Sequence, residues 1–310
     1  MKARVVFLIL CCIWGSTWLF IKLGLRDLPP ATFAAARFLL ASSILFAIAK
    51  ARRVALPRER SEWSLLLKTG VLAFTLNYGL VFWSEQHISS GLAALLQATI
   101  PAFGMLIAHV YLPGERLDAR KMAGVLLGIF GVGVVFSNQL GSEGSMALAG
   151  SAGIALGAAC AAWANVLVKA RGTKLDPAVL AACQMVCGLV PLALFGLAFE
   201  GNPLKMRWTP LAVVCLLYLT LVGSVAAFLL YYWLVRKVDV TKTMLIALVT
   251  PLAAVLLGMV TLNERLTWRT VAGGALIMSG VALAVLRRAR ADAKTSAPSL
   301  VSPNEDEAGV

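Results

Sequence analysis

With 60% of its 310 residues hydrophobic, 14% charged and a mean hydropathy of +0.84, this chain cannot cover itself with a water-soluble surface, and lipid must be its solvent. The +13 net charge raises nucleic acid as a partner, yet the basic residues cluster at the ends of long apolar runs, which argues against it. Two histidines outside any His-Glu-x-x-His pattern, and six cysteines without a Cys-x-x-Cys, imply no metal, no cofactor and no enzyme class.

Ten apolar runs follow, each near the roughly 20 residues that cross the hydrocarbon core. None alternates every second residue as a membrane barrel's strands do, so each is read as a helix. The first, Val5–Gly24, follows Lys2 and Arg4 as a signal peptide would, but it is too long and lacks a small-x-small cleavage site. It carries Trp14, Thr17 and Trp18 on one face. The second, Ala31–Lys50, holds Arg37, the only charge well inside a span. Asn77 and Tyr78 fall mid-way along Ser64–Ser84, and Gln97 and Pro101 lie in Ser90–Leu112. After Met122–Phe136 comes Leu148–Val168 with Trp163 and Asn165, then Ala178–Phe199 with Gln184. Leu211–Val235 carries Tyr218 and Ser224, Met244–Leu262 carries Thr250 and Pro251, and Val271–Leu286 closes the series. The tail from Ala291 to Val310 is too polar to bury a core and is expected to be disordered.

With the N-terminus in the cytoplasm, the loops on that side carry 21 basic residues, from Lys2 and Arg4 to Arg290 and Lys294. The opposite loops carry 6: Lys22, Arg26, Lys205, Arg207, Arg265 and Arg269. The positive-inside rule therefore puts both termini in the cytoplasm and the chain in the inner (plasma) membrane. The six cysteines, all within spans, are read as reduced packing residues.

The chain is written twice. Glu115-Arg116-Leu117-x-x-Arg120-x-x-Ala123-Gly124-x-x-Leu127-x-x-x-Gly131-Val132 recurs as Glu264-Arg265-Leu266-x-x-Arg269-x-x-Ala272-Gly273-x-x-Leu276-x-x-x-Gly280-Val281, nine matches at an offset of 149. Trp83 precedes Pro101 by 18 residues, as Trp233 precedes Pro251, and Trp14 pairs with Trp163. The reading is an all-α membrane protein of ten transmembrane helices in two five-helix repeats: residues 1–137, a linker at 138–147, residues 148–287, and a tail at 288–310. Five is odd, so the second repeat enters the membrane from the other side and the halves are inverted, an architecture suited to alternating access.

These features resemble the EamA-type transporters of the drug/metabolite transporter superfamily: Trp14-Gly15-Ser16-Thr17 in helix one, Ala36-Arg37-Phe38 in helix two, and a proline in helices four and nine followed by Glu-Arg-Leu and a Gly-rich helix. The resemblance spans roughly residues 5–287. It implies a ten-helix carrier, often an exporter of amino acids or other small metabolites, with a cavity between the halves.

Polar groups inside a bilayer cost free energy unless they find a partner or water, which selects the candidate cavity residues. They are Trp14, Thr17, Trp18, Asn77, Tyr78, Gln97, Trp163, Asn165, Gln184 and Tyr218. The competing reading is that such groups only bond a neighbouring helix. Arg37 is either a partner for a substrate carboxylate or, preferably, held by backbone carbonyls. Pro101 and Pro251 are read as hinges, with a static kink as the alternative. Glu115 and Glu264 are expected to cap helices five and ten. The Gly124 and Gly153-Gly157 ridges are expected to join halves or protomers; a homodimer is allowed, but a monomer suffices. The partners are a small-molecule substrate and the bilayer. No carboxylate lies deep in a span, so facilitated diffusion or exchange is expected, with Glu85 as the one candidate for proton-coupled efflux. A non-transporting sensor or subunit is the remaining class.

Overall fold

The computed structural model describes residues 3–115, 117–142, 144–171, 175–235, 237 and 246–286. The expected tail disorder, the start of the ninth run and several basic residues counted above, Lys2 and Arg116 among them, lie outside the described residues. The described residues form helices and no strand. In order these are α1 (Ala3–Gly24), α2 (Pro30–Ala51), α3 (Arg60–Ser84), α4 (Ser90–Tyr111), α5 (Ala119–Ser142), α6 (Ser145–Arg171), α7 (Pro177–Glu200), α8 (210–235), α9 (Ile246–Leu262) and α10 (Trp268–Leu286). α5 and α6 run into the stretch assigned to a linker, leaving a short break around Gly144.

Helix starts follow local chemistry. Pro30, Pro177 and Pro210 open α2, α7 and α8, where a missing N–H does no harm. Asp176, Thr209 and Ser89 accept first-turn amides of α7, α8 and α4. The expected capping by Glu115 and Glu264 is corrected for the helices named. α5 is capped by Asp118, which accepts the Lys121 N–H at 2.7 Å, and α10 by Thr267, which accepts the Thr270 N–H at 3.3 Å. These two caps occupy matched repeat positions. Glu264 instead reaches the start of α4, where its carboxylate accepts the Ser90 and Gly91 N–H groups at 2.8 and 3.2 Å and the Ser90 hydroxyl at 3.0 Å. Asn263 supplies the turn: its φ of 54° is left-handed, which asparagine tolerates, and it folds Glu264 back beside Gly258. Glu200 serves α2 in the same way, holding the Ala31 and Thr32 amides at 2.8 Å each. A carboxylate at a helix start meets both free N–H groups and the positive end of the dipole.

The helix contacts obey a pseudo-two-fold rule that exchanges each helix with the one five places on. α2 packs on α7, α4 on α9 and α5 on α10, while α1 against α9 is mirrored by α6 against α4. α3 against α6 and α7 is mirrored by α8 against α1 and α2. The α5–α10 contact brings backbones together: a Cβ on Gly124 would lie 2.6 Å from the Gly280 carbonyl oxygen, and one on Gly273, the repeat mate of Gly124, 2.7 Å from that of Gly131. The Gly124 ridge thus joins the halves, and Gly153 and Gly157 likewise face Ser84 and Asn77 of α3. The Glu264 loop meets α4 at Ser90 and the Glu115 loop follows its other end, Tyr111, so the two Glu-Arg-Leu loops sit at opposite ends of the bundle. Phe33, Phe38 and Phe82 of the first repeat pack with Ile154, Met185 and Leu219 of the second in one buried core shared by both repeats.

Candidate functional site: a cleft between the repeats

A cavity of about 620 Å³ lies between α1, α4, α6, α8 and α9. Trp14 and Pro101, midway along α1 and α4, form one wall, and Asn165, Tyr231 and Thr250 from the second repeat form the other. Trp14 tilts against Tyr231, with ring centroids 5.4 Å apart and planes at 50°. Glu115, Lys121 and Lys169 line the cavity at one end, where Lys169 and Glu115 form an ion pair. None of its lining residues belongs to the Glu264 end. From mid-bundle toward that end the helices close up: a Cβ on Gly15 would fall 2.6 Å from that of Ala253, one on Gly91 3.1 Å from the Val255 backbone. A mixed-charge rim above an aromatic wall and an amide suits a small zwitterion or neutral molecule with an apolar body.

The EamA-like transporter family model matches this chain twice, at residues 1–137 and 148–286. This protein belongs to the EamA-like transporter family. It is 27% identical over 269 residues to the uncharacterised transporter YoaV of Bacillus subtilis, covering 87% of this chain and 91% of that one. It is 26% identical over 290 residues to a protein of Escherichia coli K12 named "Probable amino-acid metabolite efflux pump", covering 90% and 93%. A crystal structure with 21% sequence identity superposes with a TM-score of 0.66 over 94% of this chain and 99% of its own, which concerns the fold alone. As an EamA-like chain with ten apolar helices, it is a multi-pass membrane transporter.

Of the residues picked from sequence, Trp14, Asn165, Pro101 and Thr250 meet at the cleft. The others in α1 turn elsewhere. Thr17 is buried, donates to the Trp14 carbonyl at 2.7 Å and packs on Gly223 of α8; Trp18 packs into the core. Tyr218 stacks on Phe20 at 3.8 Å and shares a 2.7 Å hydrogen bond with Ser16. Gln97 Nε2 donates to the Asn77 side-chain Oδ1 at 2.6 Å, joining α4 to α3, and Tyr78 stacks with Phe74. Gln184 donates to the Thr69 hydroxyl at 2.8 Å, joining α7 to α3. Trp163 stands apart, 48% exposed, in a separate outer groove of about 910 Å³ between α3 and α6 with Leu67, Val71 and Leu167. That groove is larger than the cleft, but it mixes leucines with Glu59, Glu62, Lys68 and Arg171 near the start of α3 and the end of α6, and it has no wall from α1, α8 or α9.

Arg37 is buried and its preferred reading changes. Its Nε donates to the Ser224 hydroxyl at 3.1 Å and its guanidinium stands 5.2 Å from the Tyr78 ring and 5.7 Å from that of Phe38, so a hydroxyl and two aromatic faces hold it rather than backbone carbonyls. Gln184, its repeat mate, binds Thr69 as Arg37 binds Ser224: in both cases the second helix of one repeat reaches the third helix of the other. Those third helices share a feature sequence reasoning missed. Both leave α-geometry for a π-helical stretch, Val71–Asn77 in α3 and Tyr218–Ala226 in α8, at matched repeat positions. The two prolines also differ. Pro101 follows a break at Ala98–Thr99 that splits α4, whereas α9 runs on through Pro251.

Tyr231 and the rim residues Lys121 and Lys169 were missed as well. The Tyr231-Tyr232-Trp233 run was the available signal for the first. The lysines looked like ordinary positive-inside charges.

Proposed function

We propose that this transporter exports small metabolites, amino acids and related zwitterionic or neutral compounds, across the inner membrane by alternating access through the central cleft, with both termini cytoplasmic. One observation carries the reading: the cleft has walls from both inverted repeats and reaches the Glu115 end, while the Glu264 end is drawn shut on α4. With inverted halves of near-equal energy, closing one end as the other opens is a small rearrangement. The basic balance of the loops puts the Glu115 end in the cytoplasm, so the cleft faces inward and loads from inside. The name of the E. coli relative supports amino-acid metabolites as the cargo class. Facilitated diffusion or exchange is the mode.

Counterflow of labelled amino acids into proteoliposomes tests this. Saturable flux is expected, and Trp14→Ala and Asn165→Ala should each lower it about tenfold, equivalent to ~1.4 kcal/mol of lost interaction. Flux in Trp163→Ala should stay at the parent level. The absence of saturable flux across a broad metabolite panel would refute the carrier reading.

A further inference from the structure

At the Glu264 end a separate vestibule of about 410 Å³ is lined by Lys22, Arg26, Glu85, Gln86, Leu262 and Glu264. Glu85 follows α3 directly and is 0% exposed, and neither carboxylate oxygen has a hydrogen-bond partner. The nearby ammonium is engaged elsewhere: Lys22 donates to the backbone carbonyls of Glu85 and Ile88, the latter at 2.7 Å, tying α1 to the end of α3. Across the vestibule Glu264 is held by the α4 amides.

We propose that Glu85 is a proton-binding site whose occupancy governs closure of this end. An ionised carboxylate sealed from water without a hydrogen bond is among the costliest groups a protein can bury, and the cheapest remedy is a proton. Closing the vestibule over Glu85 therefore takes up a proton, and opening it hydrates the carboxylate and releases that proton. The charged and titratable groups around it are Lys22 on α1, Arg26 after α1, Arg37 on α2 and Glu264 between α9 and α10, while His87, two residues on, packs against Trp83. Burial pushes the Glu85 carboxyl well above the usual carboxylate range; Lys22 and Arg37 pull the other way and Glu264 adds to the push. The sign follows from linkage. The group's pKa is higher in the closed state than in the open one, so the proton's contribution to closure is complete below the open-state pKa. It is lost as pH rises through the closed-state pKa. The inference rests on the alternating-access reading, because it needs this end to open.

The test uses the full chain in nanodiscs, its six native cysteines replaced by alanine, with nitroxides on Gln86→Cys and Leu262→Cys across the vestibule. The distance distribution is recorded against pH. The short-distance population should grow relative to the long one as pH falls, by up to about tenfold per pH unit for one proton. Adding Glu85→Gln should hold the pair short at every pH, and Glu85→Asp should keep a titration. A pH slope that survives Glu85→Gln, a long-distance population missing at every pH, or the same shift driven by sodium at fixed pH would each overturn the proposal. Metabolite flux is measured separately on the same protein. Titration of the vestibule without flux supports the proton site and strikes only the cargo reading.

Discussion

The two Glu-Arg-Leu loops are copies of one sequence in two arrangements. At one end Glu264 crosses to the other repeat and holds the start of α4; at the other Glu115 pairs with the Lys169 side chain at the rim of the cleft. Identical chemistry thus makes different described contacts at the two ends, so the motif does not itself encode a state. In the Glu264 copy it supplies a carboxylate to a helix start in the opposite repeat.

The α5–α10 contact should not share in that difference, because it lies across the pseudo-two-fold. Gly124→Val and Gly273→Val push a side chain onto equivalent backbone carbonyls, and each should lower stability by about 3 kcal/mol. Thermal unfolding in detergent checks this, and clearly unequal losses would break the symmetry claimed for the interface. Glu264→Ala is the next largest. It strips the α4 start of its carboxylate and should destabilise the closed end by about 2 kcal/mol, raising hydrogen exchange at the Ser90–Leu92 amides roughly thirtyfold. Glu115→Ala sharpens the contrast: Glu115 pairs with the half-exposed Lys169 at the opposite end of the bundle, and a pair so screened by solvent contributes under about 1 kcal/mol, so exchange at the Ser90–Leu92 amides should stay at the parent level. The smallest effect belongs to Gln184 and Thr69. A double-mutant cycle of Gln184→Leu and Thr69→Val should return a coupling of about 0.6 kcal/mol, typical of hydrogen bonds between membrane helices.

Much of the architecture was legible beforehand. Apolar run length located the ten helices, and the offset of 149 revealed the repeats, because lipid and internal duplication both write themselves along the chain. The candidate site was legible only in part. Trp14 and Asn165 face the cleft, but Trp163, two residues from Asn165, faces the outer groove, since successive pairs of helical positions point to opposite sides. Asn77, Gln97 and Gln184 serve as ties between helices, a role residue type alone does not separate from cavity lining. The π-helical stretches in α3 and α8 left no mark in composition, because the backbone register they depend on is set by neighbours.

By itself, the sequence determined the solvent, the number of spans and the inverted duplication, all of which depend on hydrophobicity summed over windows of about 20 residues. Which polar side chains meet, which end is shut, and where Glu264 and Glu85 end up were decided only by the tertiary structure. The reason is physical. A helix in lipid is apolar on every side, so no polar stripe distinguishes the face toward the cleft from the face toward the bilayer, and only packing against the other repeat makes that choice.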